Sequence, residues 1–292
     1  MPCTESRRIC NRKKHQSLKG GAEADNFSAA HVIWIGVFMR KICLAFMAIM
    51  LLLFSAMRAD ATPSTHVWTP STDIQPYGKI HLTADWYAPT QDTDKTGAPV
   101  HVLQVYGPTF SLLSDKPENN CLGKVMAEAG FDYKKGLGTE LDKSPLYFHY
   151  KLAVPEDAYF KGMPALALGE FDMGTKPDET NNNVLYFKAA RTVDKVGRFS
   201  AGYFTGNKNL LLDKNGAKDN DGLMFTWERT MTEISDRLWA CVDYQGSQSV
   251  YGALNYGFSW KFNDHLSAIV GYDQYNNPNL RDTVTFQIDI DF

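Results

Sequence analysis

Residues 283–292 read TVTFQIDIDF, and their side chains alternate between two chemical kinds. Every second residue, up to and including Phe292, is apolar, and the residues between them are polar or acidic. Successive side chains of a β-strand point to opposite faces of its sheet. The stretch therefore predicts a strand with one apolar face and one charged face.

The same period of two recurs upstream. It is clear at 238–245, 250–262 and 265–273, weaker at 144–153, 163–173, 183–193, 197–206 and 221–231, and weakest at 78–87, 99–112 and 123–134. Strands of ~10 residues exceed the mean of ~5–6 in soluble proteins, and a tilted strand of ~9–11 residues crosses a bilayer. We therefore predict an all-β fold, a transmembrane antiparallel up-and-down β-barrel with about 12 strands.

Connection lengths and aromatic residues favour the same fold. Short connections at 194–196, 232–236 and 263–264 alternate with longer ones at 88–98, 135–143, 174–182, 207–220 and 275–281, whereas 113–122 and 247–249 break the rule. Outer-membrane barrels have short periplasmic turns, long outer loops and aromatic girdles at both interfaces. Bulky aromatic residues at the strand ends, with small aliphatic residues between them, form the predicted girdles: Tyr244, Trp260, Phe262 and Tyr272.

The N-terminal region has the features of a secretory signal peptide. Met39 precedes a basic pair and an unbroken apolar run at 42–54, and Ala59 and Ala61 form an A-x-A cleavage pattern. We predict that residues 1–38 are an over-extended start without structure, that 39–61 are the signal peptide and that 62–77 are a periplasmic lead-in to a barrel over 78–292. The alternative is a membrane anchor over 32–57, which Arg40 and Lys41 interrupt.

Composition excludes several classes of protein. Of the 292 residues, 44% are apolar and 22% charged, which excludes a disordered chain, a collagen and a coiled coil. Residues 1–61 carry nine Lys/Arg against four Asp/Glu, whereas 62–292 carry 21 against 29. An acidic body argues against nucleic-acid binding. Outside the predicted leader only Cys121 and Cys241 remain, and we expect both to be unpaired thiols.

Motifs for catalysis or metal binding are missing from the sequence, so we predict no catalytic residue, metal or cofactor. The sharpest enzyme hypothesis is His265 with Ser267, because a His two residues from a Ser on one strand face can activate the hydroxyl. Both residues lie on the same strand face as Asp273, so we expect them to point away from lipid. The crowded loop at 213–221 offers oxygen ligands but lacks calcium-loop spacing, so we interpret it as a solvated loop.

Together the leader, the amphipathic strands, the alternating loops and the terminal Phe292 resemble a Gram-negative outer-membrane β-barrel of the porin-like, channel type, without a match to one family. The resemblance covers residues 78–292 and implies a bacterial outer-membrane location in contact with lipid. It also implies a C-terminal signal read by the barrel-assembly machinery, formed by Ile288, Ile290 and Phe292. The His–Ser pair resembles that of outer-membrane phospholipase A, which in that family faces lipid.

The charged face of the predicted strands is the candidate functional surface. A charge facing lipid at mid-depth costs about 2–4 kcal/mol, so charged strand residues are expected to face the lumen or the rims. We expect a narrow passive channel for small hydrophilic solutes with a mildly acidic lumen; a closed structural or interaction barrel and, more distantly, a lipid-acting enzyme are the alternatives. The lumen-lining candidates are Asp85, Lys151, Glu228, Arg237, Asp243, Lys261, Asp273, Asp289 and Asp291.

Overall fold

The computed structural model describes residues 64–292 except Asp115 and 137–139. The predicted over-extended start, the signal peptide and its site at Ala59 and Ala61 lie outside the described residues. The described chain forms twelve strands: β1 (Ile80–Pro89), β2 (Leu103–Ser111), β3 (Met126–Lys135), β4 (Leu146–Val154), β5 (Ala165–Gly174), β6 (Asn181–Val193), β7 (Gly197–Thr205), β8 (Asp221–Thr230), β9 (Leu238–Gln245), β10 (Ala253–Asn263), β11 (Leu266–Tyr275) and β12 (Thr283–Asp291).

The strands pair antiparallel with their sequence neighbours, and β12 pairs with β1 to close the barrel. Ala84 of β1, for example, lies opposite Ile288 of β12 on one side and opposite Tyr106 of β2 on the other. The backbone N–H of Phe292 donates to the carbonyl of Ile80 at 2.9 Å and extends this seam. The prediction of an all-β antiparallel up-and-down barrel of about 12 strands is confirmed.

Helical structure is minor. Two 3₁₀ turns, Pro117–Asn119 and Glu140–Lys143, lie in connections. Among the described residues no helix is long and apolar enough to cross a bilayer.

Apolar and polar side chains occupy opposite faces of the barrel wall, as the period of two requires. The exterior carries large exposed apolar residues; Phe258 is 60% exposed. The interior buries charged and polar residues, so the apolar face is outside and the charged face inside. Further exposed apolar residues on the exterior are Phe110, Phe131, Phe187, Phe225 and Val270.

The two ends of the barrel differ in their connections. We call the end with the turns 194–196 and 264–265 the short-turn end, and the end with the loop 206–220 the long-loop end. Connections 112–125 and 155–164 are long although they lie at the short-turn end. Glu156 in the second of them accepts hydrogen bonds from Thr192 and pairs with Arg198 at 3.1 Å, which fixes this connection against the barrel rim.

One domain prediction is wrong in this structure. Residues 64–75, expected to be part of a periplasmic lead-in, lie inside the barrel instead. The run looked like a linker because it is polar and carries Pro70. Its polar groups are in fact buried and hydrogen-bonded to the charged interior of the wall.

Candidate functional site

Residues 64–75, which we call the lumen segment, begin as a tight hairpin. Thr65 pairs with Pro70 as an isolated antiparallel bridge. The N–H of His66 donates to the carbonyl of Thr69 at 2.8 Å, and the N–H of Ser71 donates to that of Ser64 at 3.0 Å. Val67 and Trp68 therefore form the tip of the hairpin.

The tip lies toward the long-loop end of the barrel. The backbone N–H of Trp68 donates to the carboxylate of Asp243 at 3.0 Å, and its indole N–H donates to the carbonyl of Tyr251 at 3.0 Å. The Trp68 ring packs edge-on against Tyr87 and Tyr275, with centroids 5.3 and 5.8 Å apart. The tip is thus held by both hydrogen bonds and aromatic packing.

Val67 packs against two glycines of the barrel wall. Gly257 and Gly271 lie opposite each other on β10 and β11. A Cβ added at Gly271 would come within 2.8 Å of a Val67 methyl carbon, and one at Gly257 within 3.0 Å. The amide of Gln287 also donates to the carbonyl of Val67 at 2.7 Å. This part of the wall therefore fits the hairpin closely.

Lys188 of β6 holds the middle of the lumen segment. Its side chain is fully buried, and its ammonium contacts four acceptors. Within the segment it reaches Thr69 Oγ1 and Pro70 O, both at 2.9 Å, and His66 Nδ1 at 3.2 Å. On the wall it donates to Thr226 Oγ1 at 2.7 Å. An unpartnered buried ammonium is costly, and the segment supplies three of the four polar contacts that satisfy this one.

Ion pairs fix the base of the segment near the short-turn end. Arg198 of β7 pairs with Asp73 at 2.7 Å, and His66 Nε2 lies 3.2 Å from Glu228. Lys151 donates to the carbonyls of Ser64 and Asp73 and pairs with Glu128 at 3.0 Å. The segment thus contacts β1, β3, β4 and β6 to β12 and spans much of the lumen.

The predicted lumen-lining residues occupy the interior face or its rims. Three of them, Lys151, Glu228 and Asp243, are brought together around the lumen segment. The others form local groups: Asp289 and Asp291 contact His81 at 3.3 and 2.9 Å, Lys261 pairs with Asp264 at 2.9 Å, and Asp85 accepts from Thr83 at 2.6 Å. Buried in the wall are Lys151, Asp243, Lys261, Asp273 and Asp289, and partly buried are Asp85, Glu228, Arg237 and Asp291.

The predicted girdle residues lie on the exterior. Tyr244 and Tyr272 are near the long-loop end, where Tyr272 stacks on Tyr256 with centroids 5.5 Å apart. Trp260 and Phe262 are near the short-turn end, at a register shift between Lys261 and Asn263. The residues proposed as an assembly signal, Ile288, Ile290 and Phe292, lie on the exterior of the closing strand; Phe292 is 60% exposed.

The side chains considered for catalysis and calcium binding make other contacts in this structure. His265 Nδ1 contacts the carbonyl of Asp291 at 2.8 Å, and Ser267 donates to Asp289 at 3.4 Å. No His265–Ser267 hydrogen bond occurs among the described residues. The carboxylate of Asp213 accepts backbone N–H groups of its own loop, from Asn215 and Ala217 at 2.8 Å. Cys121 and Cys241 are both free.

Four important interior residues were missed: His66, Glu128, Lys188 and Arg198. Lys188 lies on the same face of its strand as Val184 and Tyr186. Because both of these are apolar, the sequence did not identify that face as the charged one. Leu185 and Phe187, on the other face of the strand, are exposed on the exterior of the barrel. Because Lys188 alternates with Leu185 and Phe187, their outward position could have predicted that Lys188 points inward. No periodicity marks His66, because it lies outside any strand.

Comparisons with known proteins give distant structural likenesses. No family model and no curated protein matches the chain. A KdgM porin structure is 9% identical with a TM-score of 0.45, covering 73% of this chain and 98% of that one. The COG4313 outer membrane channel from Pseudomonas putida F1 is 10% identical with a TM-score of 0.43, covering 80% and 100%. Salmonella typhi OmpF is 8% identical with a TM-score of 0.37, covering 73% and 96%.

Proposed function

We propose that the chain is an outer-membrane barrel that forms a narrow passive channel for small hydrophilic solutes, and that the lumen segment closes it in the arrangement described here. The observation that carries the proposal is the distribution of polarity in a closed barrel. Charged residues such as Lys188 and Asp243 are buried inside, and residues such as Phe258 and Phe225 are exposed outside. A water-soluble β-protein has the opposite distribution.

Closure of the sheet fits a bilayer as well. Every strand pairs on both sides, so no row of backbone N–H and C=O groups is left at an edge. Unpaired backbone groups in hydrocarbon cost several kcal/mol each, which is why closed barrels cross membranes. The exterior apolar surface would then contact outer-membrane lipid.

The interior supports a preference for cations. Acidic groups outnumber Lys and Arg along the lumen, by seven to five once Glu128, Lys188 and Arg198 are added to the predicted set. Rings of Asp or Glu favour cations, because low-dielectric walls focus the field of the charges. The solute itself is not specified by these residues.

The lumen segment supports a second candidate function, a permanently closed structural or interaction barrel. Its contacts with Lys188, Arg198 and Asp243 fill the interior with satisfied polar groups. The two functions differ in one respect: a channel conducts when the segment leaves, whereas a structural barrel does not.

Conductance in planar bilayers tests the proposal. We would compare the full chain with a variant lacking residues 64–75, after gel heat-modifiability has shown that both are folded. The channel predicts intermittent conductance for the full chain and steady conductance for the deletion. A folded full chain that never conducts, whatever the deletion does, would establish the closed barrel and refute the channel.

A further inference from the structure

Asp243, Asn255 and Asp273 form one row on the interior face, near the long-loop end. Asn255 of β10 lies directly opposite Asp243 of β9 on one side and opposite Asp273 of β11 on the other. Directly opposed residues have Cβ atoms about 4.5–5.5 Å apart. Asn255 and Asp273 are 0% exposed and Asp243 is 1% exposed, so the row is withdrawn from bulk solvent.

The two carboxylates are not equally satisfied. Asp243 accepts the N–H groups of Trp68 and Thr69 and the amide of Asn255 at 2.6 Å. Asp273 accepts one hydroxyl, from Thr283 at 2.7 Å, and its Oδ1 has no hydrogen-bond partner. The described residues give Asp273 no ion pair, and its charged neighbours Asp243 and Asp282 are also acidic.

The amide of Asn255 turns an acceptor toward this unsatisfied carboxylate. Its Nδ2 donates to Asp243, so its Oδ1 lies on the opposite side of the amide, toward β11, and has no partner. Asp273 Oδ1 and Asn255 Oδ1, on directly paired residues of β11 and β10, are therefore two buried acceptor oxygens without a hydrogen-bond partner.

We infer that this row is a binding site for a monovalent metal cation, held by Asp273 and the amide oxygen of Asn255. Carboxylate and amide oxygens are the ligands of hard cations. One positive charge is missing, because Asp243 is already compensated by the segment's N–H groups and interacts with Lys188, whereas Asp273 is not. Among the described residues no group of three or more His, Cys, Asp or Glu could hold a metal, which separates this site from a transition-metal centre.

The inference goes beyond the proposed function and does not depend on it. The site binds its cation at equilibrium whether or not the barrel conducts. A failure of conductance and a failure of binding are therefore separate results.

Sodium is the probe, and ²³Na line broadening with the folded full chain in detergent is the measurement. We expect broadening by the unaltered chain and a loss of apparent affinity of about tenfold or more in Asp273→Asn, since one charge-assisted contact contributes at least ~1.4 kcal/mol. Asp289→Asn is the matched control. It removes the same charge from the same face of the neighbouring strand, but Asp289 already contacts His81 at 3.3 Å.

A second variant tests the site if the first one does not assemble into a folded barrel. If Asp273→Asn does not fold, Asn255→Ala removes the amide, which includes both its unpartnered oxygen and the N–H that donates to Asp243, and is expected to weaken sodium binding while keeping both carboxylates. Equal losses in the Asp273 and Asp289 variants, or no binding by the unaltered chain, would overturn the site. So would an infrared carboxylic-acid band that disappears in Asp273→Asn, because a protonated Asp273 needs no cation.

Discussion

Trp68 and Asp243 lie 175 residues apart, yet the backbone N–H of Trp68 donates to the Asp243 carboxylate at 3.0 Å. The contact joins the start of the described chain to the ninth strand of the barrel. A carboxylate that a sequence argument assigns to the ion path is thus occupied, in this arrangement, by the chain itself. In the proposed channel, this contact is expected to open before ions pass.

A reversible disulfide between the segment and the wall tests this directly. The hydroxyls of Thr69 and Thr226 are 3.3 Å apart, so cysteines at these positions are close enough for a bridge. In a Cys121→Ala, Cys241→Ala background, we expect Thr69→Cys with Thr226→Cys to be closed when oxidised and to conduct after reduction. Measurement is by bilayer conductance before and after dithiothreitol. Thr226→Cys alone is the control and should not respond to reduction; conductance of the oxidised pair equal to the reduced pair would refute the gate.

Lys188 sets how firmly the segment is held. Lys188→Met keeps the length of the side chain but leaves Thr69, Pro70 and Thr226 without their common donor. We expect docking to weaken by about 3 kcal/mol, which is roughly a hundredfold larger open population. Hydrogen exchange of the peptide covering 64–75 measures it by mass spectrometry. Lys176→Met, at an exposed pair with Glu179, is the control and should leave exchange of that peptide unchanged.

The strands were predictable because their periodicity is local. In β12, apolar Val284 and Phe286 alternate with polar Thr283 and Thr285. This alternation assigns both faces of the strand without knowledge of any partner strand. Pairing with sequence neighbours then follows from the connections, and closure from the expectation that strands of this length cross a bilayer. Hence the twelve strands follow from the sequence, whereas an inward residue such as Lys188, on a face with apolar Val184 and Tyr186, was missed.

The lumen segment was not predictable by the same means. His66 and Thr69 acquire their partners from strands β6 and β8, more than a hundred residues away. No local pattern distinguishes a polar linker in solvent from a polar hairpin in a charged lumen. Paired Gly257 and Gly271 were the nearest clue, since two opposed glycines leave room for an incoming side chain such as Val67.

Deleting Phe292 should reduce the fraction of assembled barrel strongly while expression is unchanged. Its backbone makes two hydrogen bonds with Ile80 across the closing seam, and its ring lies on the exterior. Loss of both the seam contacts and the terminal aromatic residue impairs closure. Heat-modifiability on a gel reports the folded fraction. Phe292→Tyr keeps the backbone and an aromatic ring and is expected to assemble; a full folded fraction for the deletion would contradict the role of the terminal residue.

The mature protein is expected to begin at or near Thr62. The basic pair before the apolar run 42–54 and the site at Ala59 and Ala61 predict this cleavage. Cleavage there would leave the lumen segment within a few residues of the new N-terminus, free to enter the barrel without a preceding domain. Mass spectrometry of the outer-membrane fraction measures the mature mass. A mass that still includes Cys43 would contradict the predicted leader.

Neutralising interior acids should lower the preference of the conducting form for cations. Asp243 and Asp273 lie in one row near the long-loop end, where their field acts on an ion entering the lumen. In the form lacking 64–75, we expect Asp243→Asn with Asp273→Asn to shift the reversal potential in a salt gradient toward anions. The shift should shrink at high salt, because the Debye length falls from ~10 Å at 0.1 M to ~3 Å at 1 M.

The control for this shift is Asp94→Asn with Asp178→Asn, in the exposed connections 90–102 and 175–180. Hydrogen bonds from Thr96 lower the pKa of Asp94, and those from Asn209 and Asn207 lower the pKa of Asp178, so both are ionised at neutral pH and the control also removes two charges. Lying in solvent, those charges are screened and their loss is expected to leave selectivity unchanged. An equal shift in both variants would show that net charge, not the interior row, sets the preference. No shift in either would place the row off the ion path.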